Sequence, residues 1–326
     1  MRILLTGATG FLGSRTLEHL VGFDYIDSII ATGRKLDSSK KVNHKKIKYA
    51  LGDLTNSSFV NEISQNIDVI INTASLSSPW GSIKEFTRAN ILTQEHLIDS
   101  AIKYKIDRFI YISSPSIYYN GNDRFNVKED TELPKKFVNN YSKTKRAAEI
   151  LLEKSKLNYI VLRPRAIIGR GDTVIMPRLI KANSLGKLKI IGDGNNKVDL
   201  TSVLNVAHAI ELSIKAKQEA CNQCYNITNG EPIYLWKYIN KVFEGLGIKK
   251  IEKKIGAKSA NLAAVVFELV SKYLTAKEPV LTRYSVGVLS KNFSLDISKA
   301  KNLLKYKPII NTDSSLDEFV KWYKNE

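Results

Sequence analysis

Short apolar runs alternate with helix-length amphipathic stretches through the first half of the chain. The candidate strands are RILLT (2–6), SIIAT (28–32), IKYA (47–50), DVIINT (68–73), RFIYIS (108–113) and YIVLR (159–163), most of them bounded by Gly, Asp, Asn or Ser. Their apolar positions run on without the in-out alternation of a half-exposed sheet. Parallel strands covered by helices on both faces carry that pattern. Apolar spacing of helical period extends from Phe11 to about Val21, from Ile83 to Tyr104 and from Asn140 to Lys156. The predicted class is therefore α/β, a doubly wound parallel sheet.

After Arg163 the pattern changes. LRPRAIIGRGD is rich in Pro and Gly, VIMPRLIKANSLGKL reads as a helix, and IIGDGNN turns. The chain is expected to leave the sheet near Gly169, return for VDLTS, the helix after Asn205 and the strand CYNIT (224–228), then leave again. A dinucleotide-binding domain at 1–169, rejoined by 198–229, and a smaller C-terminal substrate lobe from 170–197 and 230–326 follow from that reading. No fixed-period repeat interrupts it.

Glycines stand where the first strand gives way to the first helix: LLTGATGFLGSRTLEHL places Gly7, Gly10 and Gly13 there, with Phe11 and Leu12 between them. A pyrophosphate needs a tight turn, close backbone approach and free N–H groups at a helix N-terminus, which this arrangement supplies. The sheet is therefore read as Rossmann-type. An NAD site usually carries an acid at the end of the second strand, to hold the ribose hydroxyls. Here that place reads Thr32, Gly33, Arg34, Lys35. Two cations suit a 2′-phosphate, so NADP(H) is favoured, with NAD(H) the alternative.

Tyr141 and Lys145 lie four apart in NNYSKTKRAAEILLEK, on one face of the predicted helix. A phenol titrates near ~10, and a neighbouring ammonium is expected to lower that value and tune it for proton transfer. The spacing alone is common. Upstream, RFIYISSPSIYYN sets Ser113 and Ser114 at the C-terminal end of a strand, where open parallel sheets bind ligands.

Together with the glycine loop, GDLT (52–55), RANILTQEHLI (88–98), YSKTK, LRPRAIIG and YNITNGEP, these residues resemble the short-chain dehydrogenase/reductase superfamily in its extended form, over nearly the whole chain. The resemblance implies that Tyr141 is the acid–base, that Lys145 grips the nicotinamide ribose, and that Ser114, with Ser113 as runner-up, hydrogen-bonds the substrate oxygen. It implies further that Asp53 and Leu54 flank the adenine, that Ala74 lies along the cofactor, that Asn90 stands near the catalytic centre and that Pro164 begins the loop passing the nicotinamide. SLSSPWG (75–81), SPSIYYNGNDRFNVKED (114–130), LRPRAIIGRGDTVIMPRL (162–179) and LTRYSVGVLSKNFSLDISKA (281–300) are most similar to the 3β-hydroxysteroid dehydrogenase-like group, especially bacterial reductases of 2-alkyl-3-oxoalkanoic acids. Nucleotide-sugar members typically show an Arg-Asp pair followed by paired acids near KVDLTSVLNV. Here Val198 precedes Asp199 and Leu204-Asn205 fills the acidic place.

The expected activity is an NADP(H)-dependent exchange between a ketone and a secondary alcohol on an apolar substrate. A nucleotide-sugar epimerase or dehydratase holding NAD, and a non-catalytic dinucleotide sensor, are the rival readings; a sensor would be expected to have lost the Tyr–Lys pair.

The net charge of +18 raises the question of an anionic partner. The lysines are spread along the chain, and their densest run, KKVNHKKIK, lacks aromatics for base stacking, so no nucleic-acid partner is expected. Cys221 and Cys224 form a lone CxxC without further ligands at metal spacing, and His19, His44, His96 and His208 are scattered, so no metal is expected. The opening MRILLTGATG is not a secretory leader and no apolar stretch reaches the ~18 residues of a membrane span, so a cytoplasmic protein is expected, as a homodimer. SANLAAVVFELVSKYL (259–274) is the most apolar segment of the second half. It is read as a helix closing the lobe's own core, the alternatives being a wall of an apolar substrate channel or a weak membrane-surface contact.

Overall fold

In the computed structural model, which describes residues 1–275 and 277–325, seven parallel strands form the central sheet. In chain order they are β1 (Arg2–Thr6), β2 (Ser28–Thr32), β3 (Ile47–Tyr49), β4 (Val69–Asn72) and β5 (Arg108–Ile112). After a peripheral strand, β6 (Arg124–Val127), come β7 (Tyr159–Pro164) and the strand Gln223–Ile227. In space they run Gln223–Ile227, β7, β5, β4, β1, β2, β3. The apolar runs of the sequence are these strands, and their side chains are buried on both faces because helices cover both. One face packs Ile3, Leu5, Ile29, Ile71, Ile110 and Leu162 against helix α1 (Phe11–Leu20) and the helix Val203–Ile214. The other packs Leu4, Ile70, Phe109 and Val161 under helices α2 (Ser57–Ile63), α4 (Thr93–Lys103) and α5 (Asn140–Lys154).

The predicted helix from Ile83 to Tyr104 is three pieces: α3 (Ile83–Phe86), a π-helical stretch Thr87–Leu92, and α4. Ser82 and Glu85 form a capping box at its start. The apolar period carries no mark of the π-helical turn, which rotates buried Asn90 inward.

The lobe beside the sheet has its own core, built on Trp236, Ile239, Val242 and Phe243 of the helix Leu235–Gly245 with Met176, Ile191, Leu316 and Phe319. The segment predicted to close that core does so through its alanines alone. Its helix, Ala257–Val270, turns the small Ala260 and Ala264 inward and leaves Leu262, Val266, Phe267, Leu269 and Val270 exposed. Its buried face is alanine, so the long apolar side chains on the remaining arc have no lobe surface to meet. Among the described residues no helix is long and apolar enough to cross a membrane.

One buried ion pair ties α5 to the sheet. Glu149 is fully buried, and Arg163 on β7 donates to both of its oxygens, at 2.9 and 2.8 Å. Arg163 also donates to the Tyr118 hydroxyl, and Arg146 reaches Glu149 at 3.1 Å. Removing one member of such a pair strands the other in low dielectric. Arg163→Met is expected to cost about 3–5 kcal/mol of unfolding free energy, read from urea denaturation, and pairing it with Glu149→Leu should recover most of the loss. A loss below about 1 kcal/mol in the single variant would show that Arg146 alone satisfies the carboxylate.

Candidate active site

Sheet order reverses at β1, which lies between β2 and β4. The helices that follow β1 and β4 therefore cover opposite faces of the sheet, the place where open parallel sheets bind ligands in a crevice at the strand ends. Gly7 begins the loop after β1 at φ +67°. A Cβ there would stand 2.7 Å from Thr73 Oγ1 and 2.8 Å from Ala74 N, so only glycine lets the loops after β1 and β4 touch. At Gly13 a Cβ would overlap the Gly7 carbonyl, which fixes α1 close under the loop. Gly10 differs: its Cβ would meet only the Gly7 oxygen, at 3.2 Å, and otherwise faces open space. Gly10 is also the N-cap of α1, with no side-chain cap and no acid in the first turn. Free N–H groups behind an uncovered glycine fit a pyrophosphate. Phe11 and Leu12 are half-buried, Leu12 packing on the sheet and Phe11 beside Gly171.

Arg34 and Lys35 are exposed just past β2. Gly52 N donates to Gly33 O at 3.0 Å, which brings the Asp53 loop alongside them. Asp53 accepts from Thr55 N at 2.9 Å and faces Arg88 at 3.5 Å; the Thr55 bond is the main cause holding its carboxyl below the usual range, and Arg88 and Arg34 act in the same direction. Leu54 is buried, its carbonyl meeting the His96 ring at 3.0 Å. Residues absent from the sequence reading hold the β4 side. Asn72 accepts from Thr6 Oγ1 at 2.6 Å and from Ala74 N at 3.1 Å, and donates to Gln94 at 2.6 Å. Nothing in the sequence marked Asn72 or Gln94 as partners, since they meet only after β4 and α4 pack. Asn90 accepts from Leu76 N at 2.8 Å and donates to Thr144 at 3.1 Å, so it ties the loop after β4 to α5 instead of facing an open site.

Helix α5 starts at the Asn139 cap, which accepts from Ser142 N at 2.9 Å. Tyr141 is half-buried in the first turn beside the Phe86 ring, with the Ser114 and Ser77 hydroxyls close enough to draw its pKa down. Burial outweighs them and raises it. The expectation of a lowered phenol is thus not met, and the geometry gives the reason. Lys145 Nζ is turned to the Ile112 carbonyl at 2.6 Å and lies 4.4 Å from the Tyr111 ring centroid. Burial lowers that ammonium to about 7, against the opposing pull of Glu149. Tyr141 with its proton in place is a donor.

The two serines that follow β5 have different surroundings. Ser114 begins the turn Pro115–Tyr118, accepts from Ser116 N at 3.2 Å and sits by Tyr141. Ser113 is buried near Glu149 without a hydrogen bond of ordinary geometry. Pro164 ends β7, next to β5, where Ile112 pairs with Leu162.

The remaining candidates fall elsewhere. Burial pushes the Cys224 thiol up to about 11, which suits packing and not a thiolate. The histidines are less scattered than they read: His19 and His208 meet across the α1 interface at 6.1 Å between ring centroids, with Glu211 3.7 Å from His208.

A glycine-lined crevice next to a Tyr, a Lys and a Ser at strand ends defines an enzyme of the extended short-chain dehydrogenase/reductase class, acting on CH–OH groups. Residues 4–255 match the 3-beta hydroxysteroid dehydrogenase/isomerase family, and the chain belongs to it. It is 33% identical to a 3beta-hydroxysteroid-dehydrogenase/decarboxylase of Arabidopsis thaliana, over 94% of this chain and 76% of the relative. It is 27% identical to a 2-alkyl-3-oxoalkanoate reductase of Shewanella oneidensis, over 96% and 84%. Among solved structures it resembles UDP-glucuronic acid 4-epimerase from Bacillus cereus in complex with NAD, with a TM-score of 0.76, 22% identity and coverage of 100% and 99%, a likeness of fold.

The crevice can be tested through its one uncovered glycine. Gly10→Ala should fold, at a stability cost of up to about 1 kcal/mol, because its Cβ meets only a carbonyl. Dinucleotide affinity should fall by at least ~10-fold as the methyl blocks backbone approach. Unchanged affinity by calorimetry would place the pyrophosphate elsewhere.

Proposed function

We propose that the protein interconverts a ketone and a secondary alcohol on an apolar 3-oxo or 3-hydroxy substrate, using a nicotinamide dinucleotide with NADP(H) preferred. The observation that carries this reading is Tyr141 beside Ser114, just past the end of β5, on a helix whose first turns are bonded to the loop after β4 through Asn140 and, by way of Asn90, through Thr144. When bound, the dinucleotide supplies or accepts the hydride at the carbonyl carbon. Ser114 donates to the carbonyl oxygen and orients it. Tyr141 delivers its phenolic proton to that oxygen as the carbon–oxygen double bond becomes single, and takes it back in the oxidative direction. Lys145, on the same helix face, is assigned the ribose hydroxyls by the family resemblance; its Nζ would have to leave the Ile112 carbonyl to reach them.

The named relatives act on 3-oxoalkanoates and 3-hydroxysteroids, which supports a greasy substrate, as do Val198 and Leu204 where nucleotide-sugar enzymes carry polar residues. The test is a panel of 3-oxo acids, hydroxysteroids and nucleotide sugars assayed by cofactor absorbance. Tyr141→Phe should lower turnover on the preferred substrate by ~10²- to 10⁴-fold with dinucleotide affinity little changed. Near-normal turnover would remove Tyr141 from its role, and activity confined to nucleotide sugars would overturn the substrate class.

The cofactor preference rests on Arg34 and Lys35, exposed beside the Asp53 loop. NADPH should bind more tightly than NADH, by a margin that shrinks as salt rises, and Arg34→Asp should abolish or reverse it. Equal affinities in the unsubstituted protein would refute the 2′-phosphate site.

A further inference from the structure

Two arginines leave β7 in opposite circumstances. Arg163 is fully engaged by Glu149 and Tyr118. Arg165, two residues on, is partly accessible, yet its Nε is buried with no hydrogen-bond partner, and its guanidinium makes no hydrogen bond or ion pair among the described residues. It lies over the Phe293 ring at 4.8 Å. Asp199, the acid that acts on it electrostatically, stays outside ion-pair distance and accepts from Leu295 N at 2.6 Å. A buried cation is costly unless paired, so this position is unusual.

Its surroundings say what it faces. β5 and β7 are paired so that Ile112 stands opposite Leu162, which brings Ser114 and Arg165 to neighbouring strand ends. Tyr284 belongs to the electrostatic surroundings of both Arg165 and Tyr141. Tyr284 meets Tyr119 edge-on at 5.6 Å between centroids, and Tyr119 packs so tightly on Gly287 that any Cβ there would collide with its hydroxyl. The wall is aromatic and tightly packed. Burial raises the Asp199 carboxyl to about 6 against the pull of Arg165, and among the described residues no second cation is among the groups acting on Arg165, so the place offers one positive charge where the diphosphate of a nucleotide sugar would want two.

We propose that Arg165 anchors a carboxylate of the substrate, holding a 3-oxo or 3-hydroxy acid with its reacting oxygen turned to Ser114 and Tyr141. This rests on the ketone–alcohol reading above. A planar guanidinium matches a carboxylate through two parallel hydrogen bonds, and the aromatic wall strengthens them by keeping water out. In a 3-oxo or 3-hydroxy acid a single carbon separates the carboxylate from the reacting carbon, so a carboxylate held by Arg165 fixes where that carbon lies.

The experiment uses a medium-chain 3-hydroxy acid and its methyl ester, oxidised by the whole protein with NADP+ or NAD+. The unsubstituted enzyme should prefer the acid, and Arg165→Gln should lower kcat/KM for the acid by roughly ten- to hundred-fold, mainly through KM, the span of a charge-assisted hydrogen bond. The ester should change little, and Arg165→Lys should restore part of the acid preference. Equal losses on acid and ester, or no loss on either, would overturn the anchor. Equal kcat/KM for acid and ester in the unsubstituted enzyme would overturn the anchor while keeping the ketone–alcohol reading, and turnover of neither would overturn both.

Discussion

The pairing of Glu149 with Arg163 holds the active site in register. Glu149 follows Lys145 by four residues and Tyr141 by eight, so all three share one face of α5, and the far end of that face is bolted to β7. A helix fixed at one end by packing alone could slide or roll by a fraction of a turn. With a carboxylate held by both guanidinium donors in a dry interior, a shift strips hydrogen bonds from a buried charge. The same arginine engages Tyr118, which belongs to the turn that Ser114 begins. One buried charge pair thus ties the helix of Tyr141 to the turn that Ser114 begins and to the strand that ends at Pro164.

The crevice depends on a different constraint, close approach of backbones. Gly7 against Thr73 and Ala74, and Gly13 against the Gly7 carbonyl, leave no volume for side chains. The loops after β1 and β4 are additionally joined by Thr73 Oγ1 donating to Thr6 O at 2.6 Å and by the Thr6–Asn72–Gln94 chain. These bonds satisfy polar groups that would otherwise be orphaned at the buried strand ends, and they stiffen the floor on which a dinucleotide would lie. The opening over Gly10 is what remains when everything around it is filled.

Burial has moved Tyr141 and Lys145 of α5 apart. It raises the phenol of Tyr141 and lowers the ammonium of Lys145 to about 7, so that proton on Lys145 is loosely held at neutral pH while the one on Tyr141 is firmly held. Lys145 stays charged to the extent that Glu149 and the Ile112 carbonyl support it. Neither group tunes the other: both shifts come mainly from desolvation, and the ammonium is turned to the Ile112 carbonyl.

The sequence by itself determined the parallel sheet, the glycine loop and the Tyr–Lys helix, because each rests on local signals: continuous apolar runs, glycine at a strand-to-helix turn, and a helical spacing of four. Even the return of Gln223–Ile227 to the sheet was legible from its apolar run after a turn. Tertiary structure decided what depends on meetings between distant segments. Ser114 is separated from Ser113 only by which face each presents, and Asn90 became a tie between loops only once a π-helical turn rotated it inward. His19 met His208 across a helix pair, and the long apolar side chains of Ala257–Val270 went outward because the lobe core was already filled from other helices. Arg163 and Arg165 read alike as neighbouring cations in LRPRAIIG. Burial beside Glu149 satisfied one, while the other lies over the Phe293 ring with its Nε unpartnered, since the local chain carries the charges but only the packed fold supplies or withholds their partners.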